Sequence, residues 1–171
     1  MTETDPNEML GESLEESLVL TLLELAAALS KRGDMISERV GITTQQWIVL
    51  LYIYGDANIP LIGKMRREGG FVPNGGRMAS EIADALNVSR ANVTNMVNGL
   101  LAKNLVYQEK DDNDLRRRLL KLTPAGIQLI ERIEPFRRKA NIALFSILKE
   151  KVKKELLANL KALLQRLHRD D

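Results

Sequence analysis

The stretch from Met78 to Gly126, MASEIADALNVSRANVTNMVNGLLAKNLVYQEKDDNDLRRRLLKLTPAG, constrains the fold more than any other part of the chain. Ile82, Ala83 and Leu86 recur at helical spacing and define one buried stripe. Asn87-Val88 reads as a turn, and Ser89 as the N-cap of a second helix running to about Lys103. On that helix Val93, Met96, Val97, Leu100 and Leu101 share one side. Ala91, Asn95 and Asn98 point the opposite way, with Arg90, Asn92 and Thr94 flanking them. Asn104 ends the helix, and Leu105-Val106-Tyr107 begins a strand. The run Asp111–Asp114 is turn-rich, and Arg116–Leu122 returns as a second strand. Thr123-Pro124 then starts a third helix, with threonine as N-cap and proline at the first helical position. Helix, turn, helix and basic hairpin in this order are the layout of a winged helix, and the partner expected is double-stranded DNA.

The chemistry agrees with that layout. An α-helix fits the major groove, where asparagine pairs bidentately with adenine and arginine with guanine. The candidate groove-facing residues are Ser89, Arg90, Asn92, Thr94, Asn95 and Asn98. The candidate wing residues are Asp114, Arg116, Arg117 and Arg118, since a hairpin arginine can enter a narrow, electronegative minor groove. Asp114, two residues before Arg116, is expected to hold that arginine by an ion pair. The same residues also fit a solvated polar helix face and a charged surface hairpin. The alternative function is therefore a winged-helix protein-interaction module without sequence-specific DNA binding.

Composition narrows the classes further. The formal net charge of the 171 residues is only +2, so any nucleic-acid affinity must come from local clusters. Arg116–Arg118 and Arg137–Lys139 are basic, whereas Thr2–Glu16 is acidic. The chain has no cysteine and a single histidine, His168, which argues against thiol chemistry and multi-histidine metal sites. No cofactor is expected. No P-loop, dinucleotide fingerprint or nucleophile elbow occurs, so the expectation is not an enzyme. No run approaches the ~18–20 apolar residues of a membrane span, and the acidic start is unlike a signal peptide. A cytoplasmic protein without membrane contact is the expectation.

Outside the central motif the pattern is helical. Residues 1–11 are expected to be disordered. From about Glu12 to Arg39, Leu14, Leu18, Leu22, Leu25 and Leu29 form one face, which suits either a core or an intersubunit seam. Thr43–Gln46 reads as a capping box for a helix to about Tyr54, apolar on most sides through Trp47, Val49, Leu50, Leu51 and Ile53. Asp56–Gly76 contains Pro60, Pro73 and two glycine pairs, and is expected to be a loop without continuous helix or strand. Its Lys64, Arg66 and Arg67 either contact phosphate or belong to a mobile surface loop. After Thr123 the helix carries Ile127, Ile130 and Ile133, with a kink expected at Pro135. Val152, Leu156, Leu160, Leu163, Leu164 and Leu167 mark a last amphipathic helix.

The run Asp114-Leu115-Arg116, followed by Leu119, Leu122-Thr123 and Gly126, resembles the DxR…LTxxG signature of the MarR (multiple antibiotic resistance regulator) family. The segment SEIADALNVSRANVTNMVNGLLAKNLV is also similar to that family's helix-turn-helix. The resemblance implies a mainly α fold with a small β-wing, a winged helix-turn-helix joined to N- and C-terminal dimerisation helices. It assigns 12–42 and 124–171 to dimerisation and 43–123 to DNA binding, with an atypical loop at 56–76. It implies a homodimer on a pseudo-palindromic operator, acting as a ligand-responsive repressor with a small-molecule effector in a cleft between the two regions. It places Asp114 and Arg116 at the wing tip, and Ser89, Arg90, Asn92, Thr94 and Asn95 toward the groove. The departure is 56–76, where the family has a much shorter link.

Overall fold

The computed structural model describes residues 13–68, 76–111 and 114–167. The expected disorder of 1–11 lies outside these residues, as do Pro73 and both glycine pairs of the 56–76 link apart from Gly76. In chain order come α1 (Leu14–Ser37), a 3-10 turn (Glu38–Val40), α2 (Thr44–Tyr54), α3 (Pro60–Arg67), α4 (Ala79–Leu86) and α5 (Arg90–Ala102). Then follow β1 (Val106–Lys110), β2 (Arg118–Leu122), α6 (Pro124–Phe145) and α7 (Glu150–Leu167). β1 and β2 are antiparallel, with Val106 opposite Leu122 and Lys110 opposite Arg118. Arg77 adds an isolated bridge to Leu120, at 3.0 and 2.8 Å.

The core is built around α2. The Thr43 hydroxyl accepts the Gln46 amide at 3.1 Å, and the Gln46 side chain accepts the Thr43 amide at 3.2 Å, so the expected capping box forms. Asp34 of α1 accepts the Thr44 amide at 2.7 Å, satisfying another first-turn donor. Gly55 ends α2 at φ 81°, a left-handed conformation that suits glycine. Between these ends Trp47, Val49, Leu50, Leu51, Tyr52 and Ile53 are all buried. Ile82 and Ala83 of α4, Val93, Val97 and Leu100 of α5, Val106 and Leu120 of the sheet, and Leu129, Ile130 and Ile133 of α6 complete this cluster. Each large apolar side chain buried there contributes about 1.5–3 kcal/mol.

The 56–76 link departs from expectation. Residues 60–67 form the helix α3, so this part is not a loop. Pro60 stands at the first helical position, where its missing N–H costs nothing and its fixed φ favours the helix. Ile62 is buried in the core cluster and Met65 packs against it, which supplies the tertiary anchor. The Arg66 guanidinium donates to the Gly55 carbonyl at 2.8 and 3.2 Å, tying α3 back to the end of α2. Sequence punctuation signalled a break. It did not signal the short amphipathic run between the breaks.

The two ends of the chain are different in kind. Ser37 is the one buried residue of α1, and no residue of α7 is buried. Leu14, Leu18, Leu22, Leu25 and Leu29 are all exposed, as are Leu156, Leu160, Leu163, Leu164 and Leu167. The leucine face of α1 is thus not a core of its own protomer. α6 continues through Pro135 without a break. The Arg137 guanidinium lies 5.5 Å over the Trp47 ring, 2.9 Å from Glu134 and 3.7 Å from Asp56, joining α6 to α2 and the start of the link.

Candidate nucleic-acid interface

α4 and α5 meet at Asn87, which ends α4 in the left-handed region at φ 51°, a conformation asparagine tolerates. Val88 donates its amide to the Ala83 carbonyl at 3.1 Å, closing the turn. The Ser89 hydroxyl accepts the Asn92 amide at 3.2 Å and caps α5 as expected. Val93, Val97 and Leu100 are then buried, and Arg90, Asn92, Thr94, Asn95 and Asn98 are exposed, as the sequence pattern predicts. The roles within this face divide. Ser89 spends its acceptor on the cap. The Thr94 hydroxyl donates to the Arg90 carbonyl at 2.8 Å, one turn back. Arg90, Asn92, Asn95 and Asn98 carry the exposed side-chain donors and acceptors that base edges require.

The wing separates its residues as well. Asp114 does not pair with the Arg116 guanidinium among the described residues. Its carboxylate accepts the Arg116 backbone amide at 3.0 Å, and its carbonyl accepts the Arg117 amide at 2.8 Å. Asp114 therefore shapes the turn rather than holding a side chain, because an aspartate oxygen reaches the amide two residues on more readily than a long, solvated guanidinium. The Asp111 amide donates to the Arg117 carbonyl at 3.1 Å and closes the hairpin. Arg116 and Arg118 are exposed. Arg117 is drawn toward α4, 3.6 Å from Glu81, 3.9 Å from Asp111 and 3.2 Å from the Met78 sulfur.

The joint between the wing and α6 explains the Leu-Thr-x-x-Gly run. Thr123 is buried, donates its hydroxyl to the Asn104 carbonyl at 2.7 Å and accepts the Gly126 amide at 3.0 Å. Its own amide donates to the Leu105 carbonyl at 3.1 Å. A Cβ on Gly126 would collide with that same Leu105 carbonyl oxygen, so glycine is required by the approach of α6 to the α5–β1 corner.

Sequence reasoning missed the residues that receive Arg117. Glu81 accepts the Met78 amide at 2.9 Å as the third residue of α4, a capping-box position visible in the sequence. Its second oxygen faces Arg117, a contact 36 residues distant in the chain that no local pattern shows. Among the described residues no group of three or more His, Asp or Glu could hold a metal ion, and no helix is long and apolar enough to cross a membrane.

A sequence model of the MarR family matches residues 74–117, the bridge, helix-turn-helix and wing. The chain is 38% identical over 61 residues to a Thauera aromatica protein assigned to transcriptional regulation of the hcr operon. That alignment covers 36% of this chain and 37% of the relative. It is 30% identical over 113 residues to the transcriptional activatory protein BadR of Rhodopseudomonas palustris, covering 66% of this chain and 56% of the relative. The aligned stretches thus span only about a third to a half of these curated relatives. Among solved structures, MepR of S. aureus in complex with DNA superposes with a TM-score of 0.70 at 25% identity, covering 91% of this chain and 99% of MepR. A MarR/EmrR-family transcriptional regulator from Acinetobacter sp. ADP1 superposes with a TM-score of 0.73 at 18% identity, covering 92% and 99%, and shows the same fold. These proteins are described as regulators of transcription, not as enzymes. The family match falls on the segment whose helix, turn and wing geometry is given above: over residues 74–117 the chain is similar to the MarR family.

Proposed function

We propose that this protein is a sequence-specific, DNA-binding regulator of transcription that acts as a homodimer. The observation that carries the reading is the pairing of an exposed polar face on α5 with a wing tied to α4, the helix that braces α5. A helix presented in this way enters the major groove, while Arg116 and Arg118 on the wing reach the neighbouring backbone or minor groove. The DNA complex of MepR, with which the chain shares its fold over nearly its whole length, supports the same reading.

The dimer is supported by surface. Unburied leucines on α1 and α7, with Phe136 and Ile142 of α6, account for an apolar face that water does not tolerate at this size. A second copy covers it with the same helices, which is the closed, isologous arrangement. The finer form of the proposal is a repressor released by a small-molecule effector. BadR is described as an activatory protein, so the sign is to be read from a reporter assay with the protein present and deleted.

The test is a footprint and gel-shift titration on the DNA upstream of the protein's own coding region. Protection of a two-fold symmetric site, weakening steeply with salt, is the expected result. Asn95→Ala should reduce binding to that site more than binding to random DNA, because base contacts specify whereas phosphate contacts only position. Absence of any salt-dependent DNA binding would leave the protein-interaction module as the reading.

A further inference from the structure

The three consecutive arginines of the wing look interchangeable in the sequence, but their surroundings are not. All three are exposed on the hairpin, Arg117 with 44% of its side chain accessible. Arg117 spans from the hairpin to the start of α4: its guanidinium is 3.6 Å from a Glu81 oxygen and 3.9 Å from an Asp111 oxygen, and its Nε lies 3.2 Å from the Met78 sulfur. Both ends of this span are themselves fixed. Glu81 accepts the Met78 amide at 2.9 Å, and the Arg117 amide and carbonyl both take part in closing the hairpin, at 2.8 and 3.1 Å. The Arg77–Leu120 bridge attaches the sheet to the residue that precedes this α4 cap.

We propose that Arg117 is a positioning residue that fixes the wing against α4, and so sets the spacing between the wing tip and the base-reading face of α5. It contacts no phosphate itself. Its effect on DNA rests on the reading given above, but its effect on the wing does not. A residue at the middle of a basic triplet is ordinarily taken as a phosphate contact. Here its charge faces the two carboxylates of Glu81 and Asp111. The pair is half exposed, so its worth is modest, and the effect on DNA is expected to be roughly two- to fivefold.

The experiment has two arms. In the first, hydrogen exchange of the wing is followed in the full-length protein without DNA. Arg117→Ala and Glu81→Gln should each speed exchange across residues 106–122, and the double variant should be no faster than the faster single one. Glutamine keeps an oxygen for the Met78 amide, so the cap of α4 survives and only the charge facing Arg117 is removed. Unchanged wing exchange in Arg117→Ala, or additive effects in the double variant, overturns the proposal whether or not the protein binds DNA. In the second arm, affinity for the protected upstream site is measured across a salt series. Arg117→Ala should lower affinity with an unchanged slope of log affinity against log salt, whereas Arg116→Ala should flatten it by up to about 0.9 for each phosphate it no longer neutralises. Arg117→Lys, which keeps the charge near Glu81, should recover part of the affinity at the same slope. A slope flattened as much by Arg117→Ala as by Arg116→Ala makes Arg117 a phosphate contact and overturns the proposal.

Discussion

The region from Thr43 to Thr123 and the arms α1 and α7 use apolar residues in opposite ways. α2 has six of its eleven residues buried within its own chain. α7, at eighteen residues, has none, although leucine recurs along it at helical spacing. One pattern is closed by the protomer, and the other is left open. Apolar periodicity therefore tells which face of a helix is dry in the final assembly. It does not tell whose side chains make it dry.

The comparison breaks first at α7. Ending the chain after Glu150 removes Leu156, Leu160, Leu163, Leu164 and Leu167, and is expected to convert a dimer into monomer or aggregate in sedimentation. A stable, soluble dimer from that truncation would place the interface elsewhere. A smaller effect separates a closed site from an open one. Leu50→Ala, at a fully buried position of α2, should cost about 2–5 kcal/mol in urea unfolding. Leu23→Ala, at a position 63% exposed on α1, should lower the midpoint by an amount that raising the protein concentration recovers. Smaller again is Arg116→Ala, expected to weaken operator binding by about 1–3 kcal/mol in gel shifts, with sedimentation unchanged.

The smallest effect lies where the two regions meet. The Thr44 backbone amide, with its hydroxyl second, holds the Asp34 carboxyl below the usual carboxylate value. A carboxyl lowered on folding stabilises the protein above its unfolded pKa, and that contribution is lost as pH falls through the folded value. Asp34→Asn should therefore trail the natural protein slightly at neutral pH, and the gap should close on acidification below about pH 4. Urea midpoints across that pH range check it.

Much of the central region was legible because its signals are local. The Thr43 capping box, the Ser89 cap, the Thr123-Pro124 start and the buried stripe of α5 each depend on residues within one or two turns. The groove-facing candidates on α5 came with that stripe, since fixing the buried side fixes the exposed one. What escaped depends on distance. α3 was hidden because eight residues between glycines and prolines carry little periodicity, and its anchor, Ile62 in the core, is tertiary. The Arg66 bond to the Gly55 carbonyl, which ties α3 to the end of α2, is likewise a contact that no local pattern shows. Asp114 and Arg117 were assigned by charge, and the contacts they make, with the backbone amide of Arg116 and the carboxylate of Glu81, were not visible in it.

The knot of bonds around Thr123 and Gly126 also has a mechanical meaning. It joins the first turn of α6 to the corner from which the wing springs. α6 is 22 residues long, about 33 Å at the rise of an α-helix. Fastened at one end to the winged helix, it acts as a lever. A rotation of about 10° at that fastening sweeps its far end through roughly 6 Å. The same gearing runs in reverse: a shift of several ångströms between paired arms returns only a small tilt at each head. In the proposed homodimer, two heads set to meet half-sites about 34 Å apart would thus be aimed from far away, by whatever fixes the crossing of the arms.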